Sequence, residues 1–224
     1  GATMTIHGWI DNSGTVTNHK DGVVNFTHAG SIENRGTVNN QGTWTNGGSV
    51  DNYKTFQNTW ILNNEKRLNN TNGGTLTNDG TLVNKIGASL YNSAGGTLIN
   101  NVVLTNNSEL KNDGTLTNAA GAGLFNNSGA KLVIGEGGYN SAGKHLLTNE
   151  GTLNNNQGTI TVYKYSTLNN GGTWTNSGEV YNGGTVDNTG TLTNNHVLMR
   201  NLGTLNNTGA LTNQTGGHLT NDGV

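Results

Sequence analysis

The sequence predicts an all-β fold: a parallel β-helix (β-solenoid) of about three short strands per coil, right-handed, with about ten or eleven coils. Three observations carry that prediction. Composition is the first: among 224 residues there are 36 Gly, 42 Asn and 34 Thr, together half of the chain, with no Pro and no Cys. The second is a repeat, Gly-Thr-φ-x-Asn-x, where φ is Leu, Val, Ile, Trp or Phe. The third is the parity of that unit. Gly, φ and Asn fall on alternate residues, and in an extended chain alternate residues share one face.

The strand comes first. One run places Val38, Trp44, Val50, Phe56, Leu62 and Leu68 six residues apart, with Asn40, Asn46, Asn52, Asn58, Asn64 and Asn70 two residues beyond each. A second run holds Leu168, Trp174, Val180, Val186 and Leu192 with Asn170, Asn176, Asn182, Asn188 and Asn194. About 28 such φ-x-Asn units are present, too many for chance. The inward set is small, large apolar, amide. The outward set is Thr followed by a position that accepts Asp11, Glu33, Gln57, Lys111 or Arg200, and a position that tolerates both signs of charge faces water.

Corners come next. Each Asn-x-Gly link joins residues that accept left-handed backbone geometry, so it bends the chain sharply. Where the step lengthens to eight residues, as from Leu68 to Leu76 or Leu90 to Leu98, the added pair is small and polar (Asn72-Gly73, Ala94-Gly95) and reads as a corner insertion. Six residues are too few for a strand-turn-strand hairpin of normal length, so the bends turn the corners of a coil. At about 4.8 Å per coil the rod is roughly 50 Å long. One coil buries too little apolar surface to offset the entropy of ordering its own backbone, so coils fold only as a stack. Inter-coil backbone bonds and a ladder of Asn amides hold that stack together.

The charge balance sets limits on function. With 11 Lys+Arg against 13 Asp+Glu and a formal charge of -2, the chain lacks the basic footprint of a nucleic-acid binder. It also lacks an apolar stretch long enough to span a bilayer. The acidic residues are dispersed, and Asp79, Asp113 and Asp222 sit in Asn-Asp-Gly corners where turn chemistry accounts for them. The histidines His7, His19, His28, His145, His196 and His218 are scattered. No enzyme, no metal ligand and no cofactor is therefore expected.

Phrases such as Gly203-Thr204-Leu205-Asn206-Asn207-Thr208-Gly209 and Val186-Asp187-Asn188-Thr189-Gly190-Thr191-Leu192 resemble the repeats of bacterial filamentous-haemagglutinin-like adhesins and the β-helical passengers of autotransporters. The resemblance covers nearly the whole chain. It implies a secreted, cell-surface rod that mediates attachment, self-aggregation or biofilm formation. The partners it implies are a host-surface glycan or protein, or identical rods on neighbouring cells. On this reading residues 1–224 are a single solenoid domain within a longer protein.

The repeat breaks between about Ala119 and Leu168. Ile134 and Val162 stand where Asn belongs, and no clear φ occurs from Gly135 to Lys144. Tyr139, Lys144, His145, Tyr163, Lys164 and Tyr165 concentrate there. They read as a ligand-binding insertion, in which tyrosine rings offer flat stacking area with polar tips, or as a loop over a repacked coil. Val83, Tyr91, Ile99, Phe125 and Val133 take outward positions without forming one patch. Three alternatives follow from other features. Unpaired strand edges would let a filament subunit stack end to end. A carboxylate cluster on one face would mark a carbohydrate-active enzyme. Thr pairs at 15/17, 43/45, 75/77, 115/117, 173/175 and 191/193 raise an ice-binding face, but assigning units by threes spreads them over all three sides, interrupted by Glu33, Lys111 and Asp187.

Overall fold

The computed structural model describes residues 1–71, 73–135, 145–195 and 198–224. Those residues form 32 short strands in three parallel sheets of 11, 11 and 10 strands, with every third strand in the same sheet. One coil shows the pattern. Strand β6 (Thr37–Asn40) lies in sheet C, β7 (Thr43–Asn46) in sheet A and β8 (Ser49–Asn52) in sheet B, and β9 (Thr55–Asn58) then stacks on β6. The stack is in strict register, Val38 on Phe56 and Asn40 on Asn58. The chain is thus a three-sided parallel β-solenoid.

Burial alternates along each strand as the unit's parity requires, with Thr and the variable position outward and φ and Asn inward. The φ residues form one continuous core, fully buried from Val38 to Met199. Beside it run columns of amides. In sheet C, Asn40 Nδ2 donates to Asn58 Oδ1 at 2.7 Å, Asn58 to Asn78 at 2.7 Å, Asn78 to Asn100 at 2.8 Å and Asn100 to Asn118 at 2.7 Å. The second N–H of each amide goes to a backbone carbonyl of the next coil, as from Asn40 to Ile61 O at 2.8 Å and from Asn78 to Val103 O at 2.7 Å. Both donors are therefore used, which fixes each amide's orientation and points every column the same way along the axis.

Two kinds of glycine make the corners. Tight corners need the absence of a side chain. A Cβ on Gly36 would stand 2.1 Å from the Gly14 carbonyl oxygen, and one on Gly190 would stand 2.1 Å from that of Gly172. Longer corners need a left-handed residue three positions after the strand's last. Gly73, Gly87, Gly95, Gly121, Gly129 and Gly216 fill that place with φ between 74° and 89°. At two corners the same place is held by Asp21 (φ 62°) and Tyr165 (φ 69°).

The strands outnumber the φ-x-Asn units of the sequence by four. In β1 (Thr3–Ile6), β4 (Val23–Phe26), β20 (Lys131–Ile134) and β23 (Thr159–Val162) the Asn slot holds Ile6, Phe26, Ile134 and Val162. An apolar side chain serves there because its neighbours supply packing in place of amide bonds. Phe26 stacks on Trp44 with ring centroids 5.3 Å apart, and Ile134 and Val162 lie in register with each other.

Across the sequence's irregular span, β19 (Gly123–Asn126), β20, β21 (His145–Asn149), β22 (Thr152–Asn155), β23 and β24 (Ser166–Asn170) all keep their places in the three sheets. The lengthening is local. Ladder partners Asn118 and Asn149 are 31 residues apart, against 18 between Asn40 and Asn58, and residues 136–144 lie outside the described set.

Candidate functional site

Stacking sorts the outward residues by chemistry. Among the strands, every Asp, Glu, Lys and Arg except Asp187 lies on sheet B, from Asp11, Glu33 and Asp51 through Lys111 and Lys131 to Arg200. Sheet C instead carries Thr15, Thr37, Thr55, Thr75, Thr97 and Thr115 in one register column over six successive coils. Three of the expected Thr pairs (15/17, 75/77, 115/117) are on sheet C and three (43/45, 173/175, 191/193) on sheet A, so they occupy two sides rather than three. Glu33 and Lys111 do not interrupt them, because both belong to sheet B, and Asp187, on sheet C, lies beyond the last of that sheet's pairs. Counting units by threes goes astray because the four strands without Asn drop out of the count.

Charges on the sheet B side pair both between coils and within one. Arg35 meets Asp11 at 2.9 Å and Glu33 at 2.6 Å, and Arg67 meets Asp51 at 2.8 Å. Desolvation, the largest effect on Arg35, lowers its pKa, but the bond and charge of Glu33 together with Asp11 raise it above the ordinary arginine value. These pairs are exposed, and such pairs add little stability.

The expected ligand-binding group divides. Tyr163, Lys164 and Tyr165 form the exposed corner between β23 and β24, with Tyr165 71% exposed and Lys164 Nζ 4.9 Å from its ring centroid. Tyr163 also borders a groove of about 280 Å³ on sheet B with Lys131, Val133 and Thr161. Tyr139 and Lys144 lie outside the described residues.

His145 does not join that surface. It takes an inward position at the start of β21 and is buried, with Nδ1 2.7 Å from the Asp113 carbonyl oxygen. Its Nε2, the Oδ1 of Asp113 and the Oγ of Ser166 are buried and have no hydrogen-bond partner among the described residues. This Asp, His and Ser set is not arranged for nucleophilic chemistry. The Nδ1 contact at 2.7 Å is to a backbone carbonyl, while the Asp113 carboxylate stands 3.9 Å away, and no bond joins Nε2 to Ser166. Asp113 Oδ2 instead accepts from Tyr91 at 2.7 Å and pairs with Lys111 at 3.4 Å. Among the described residues no group of three His, Asp or Glu is placed to hold a metal ion.

Sequence reading passed over a second corner, between sheets C and A. Lys20, Asp21, Gln41, Thr59 and Trp60 line a groove of about 340 Å³ there, and Trp60 is 59% exposed. The signal was present in the sequence: Trp60 stands two residues before the φ residue Leu62, where the unit has Gly.

No family model and no curated protein matches the chain. Among solved structures it is similar to the crystal structure of a TibC-catalyzed hyper-glycosylated TibA fragment. The identity is 16%, the alignment covers 99% of this chain and 95% of that one, and the TM-score is 0.28. So distant a superposition says nothing about what this chain binds.

Proposed function

We propose that the chain is a segment of a bacterial cell-surface adhesin, a non-catalytic rod that associates side by side with identical rods on neighbouring cells. The observation that supports this most is the near absence of charge on sheets A and C. Two copies approaching through such faces desolvate hydroxyls and amides, which re-pair across the contact, rather than ions. The Thr column of sheet C offers one hydroxyl per coil over six coils, in a flat array that a second copy matches by symmetry. The resemblance of the repeats to haemagglutinin-like adhesins points the same way.

Beads coated with the chain test the reading. Wild-type beads are expected to clump, and beads carrying Thr75→Glu with Thr115→Glu are expected to disperse. A matched pair of glutamates on sheet B, at Ser89 and Thr159, is expected to leave clumping unchanged. Beads that never clump would make the segment a passive spacer, and clumping indifferent to the sheet C glutamates would remove that face from the contact.

A further inference from the structure

We infer that the corner between sheets C and A over the first three coils binds a neutral saccharide through the indole face of Trp60. The inference rests on the adhesin reading above and gives it a ligand class.

Two departures from the repeat meet at this corner, and neither serves packing. At this corner the residue before each sheet A strand offers its carbonyl oxygen to the coil above, and in successive coils it is Gly22, Gly42, Trp60 and Gly80. Further along, Gly151, Gly172 and Gly190 hold the same place. Ala2, Val102 and Ala122 stand there in three other coils, and Trp60 is the one aromatic among the residues named, its ring in solvent rather than in the core. The stack registers its presence. The bond from Ile61 N–H to Gly42 O is 3.3 Å, and that from Val103 N–H, which follows Val102, to Gly80 O is 3.2 Å, whereas Thr43 to Gly22 and Thr191 to Gly172, where Gly is retained, are both 2.9 Å. Two coils below, Asp21 holds with φ 62° the left-handed position that glycine fills at six other corners. A large exposed ring and a carboxylate, both in glycine places and lining one groove, have no structural return within the coil.

The groove's chemistry names the ligand. Its volume of about 340 Å³ is within the range of small-ligand sites, about 300–1,000 Å³. The side chains of Lys20, Asp21 and Gln41 make no hydrogen bond or ion pair with the described residues, so their polar atoms are available. An indole plane stacks on the apolar C–H face of a pyranose ring. A carboxylate accepts from sugar hydroxyls, an ammonium donates to them, and a carboxamide does both. One positive and one negative group cancel, which favours an uncharged sugar over a uronate.

The test restores the repeat. Trp60→Gly puts back the residue that the neighbouring coils carry, so it is expected to fold with an unchanged or higher Tm. Wild-type chain and variant are compared on a printed array of neutral hexose oligosaccharides, with polygalacturonate as the acidic control. Wild type is expected to retain at least one neutral oligosaccharide, Trp60→Gly and Asp21→Gly to bind it at least tenfold more weakly, and polygalacturonate to be ignored. No neutral sugar bound, equal binding by Trp60→Gly, or equal binding of polygalacturonate would each overturn the inference. Clumping of sugar-free beads reads the side-by-side contact separately and is expected to be unchanged in Trp60→Gly. Wild-type chain that clumps but retains no neutral sugar therefore counts against this site alone, and wild-type chain that retains sugar but does not clump counts against the rod contact alone.

Discussion

At the scale of the residue, the asparagine of each unit is specified by three bonds at once. Asn78 accepts from Asn58, donates to Asn100 Oδ1 and donates to the Val103 carbonyl. Aspartate has nearly the same shape but no donor when ionised, so Asn78→Asp sets a buried carboxylate against two acceptors. Chemical denaturation at neutral pH is expected to show a loss of about 3–5 kcal/mol, the scale of an uncompensated buried charge. The loss should shrink as pH falls toward about 4 and be smallest below it, because the folded chain takes up the proton at higher pH than the unfolded one and the protonated acid recovers one donor. Tyr165 shows the opposite case, a residue that the backbone does not favour. Tyr165→Gly relieves a left-handed conformation and forfeits only an exposed ring, so a gain of up to about 1 kcal/mol is expected in the same assay. The amide requirement was legible from Asn recurring at one place in every unit. The strain at Tyr165 was not, because nothing in Tyr163-Lys164-Tyr165 announces the sign of φ.

Strands and corners divide the work at the next scale. Corners set how closely coils approach. Gly190→Ala drives a Cβ against the Gly172 carbonyl, which is backbone and cannot swing aside, and a loss of about 1–3 kcal/mol in Tm-derived stability is expected. Strands set which neighbours an inward side chain finds. In sheet B the amide column stops at Asn112, is replaced by Ile134 and Val162, and resumes at Asn182. Ile134→Asn or Val162→Asn alone leaves an amide N–H against an aliphatic chain, whereas the double substitution rebuilds a continuous column. A double-mutant cycle is expected to return a favourable coupling of about 1–3 kcal/mol, and additive losses would show that the column is not what stabilises that sheet. A six-residue period announces elements in its own idiom. It therefore gives the 28 strands that end in Asn, shows β20 and β23 only as breaks at Ile134 and Val162, and gives no sign of β1 and β4.

For the whole molecule, the consequential feature is that the charges carried by the strands, Asp187 apart, lie on one of three sides. A contact made through uncharged faces has little to lose to screening, so bead clumping is expected to survive 1 M salt, where the Debye length is about 3 Å. Dispersal by salt would move the contact to sheet B and its ion pairs. The candidate sites divide the same way. Tyr163, Lys164 and Tyr165 were found from composition, because aromatic and cationic residues cluster there against a background of Gly, Asn and Thr. His145 is their neighbour in sequence but turns inward in the fold, since adjacency in sequence does not say which alternate residues turn inward. By itself the sequence determined the solenoid, its three-strand coil, its core and its amide ladder, because each is a periodic demand that recurs in every unit. Only the tertiary structure decided which side each outward residue occupies. That depends on the cumulative count of strands from the first coil onward, and a single strand without its Asn shifts every later assignment by one face. Only the stack, therefore, could place Trp60 near Asp21, show the Thr column as continuous, and gather the strands' charges, Asp187 apart, onto sheet B.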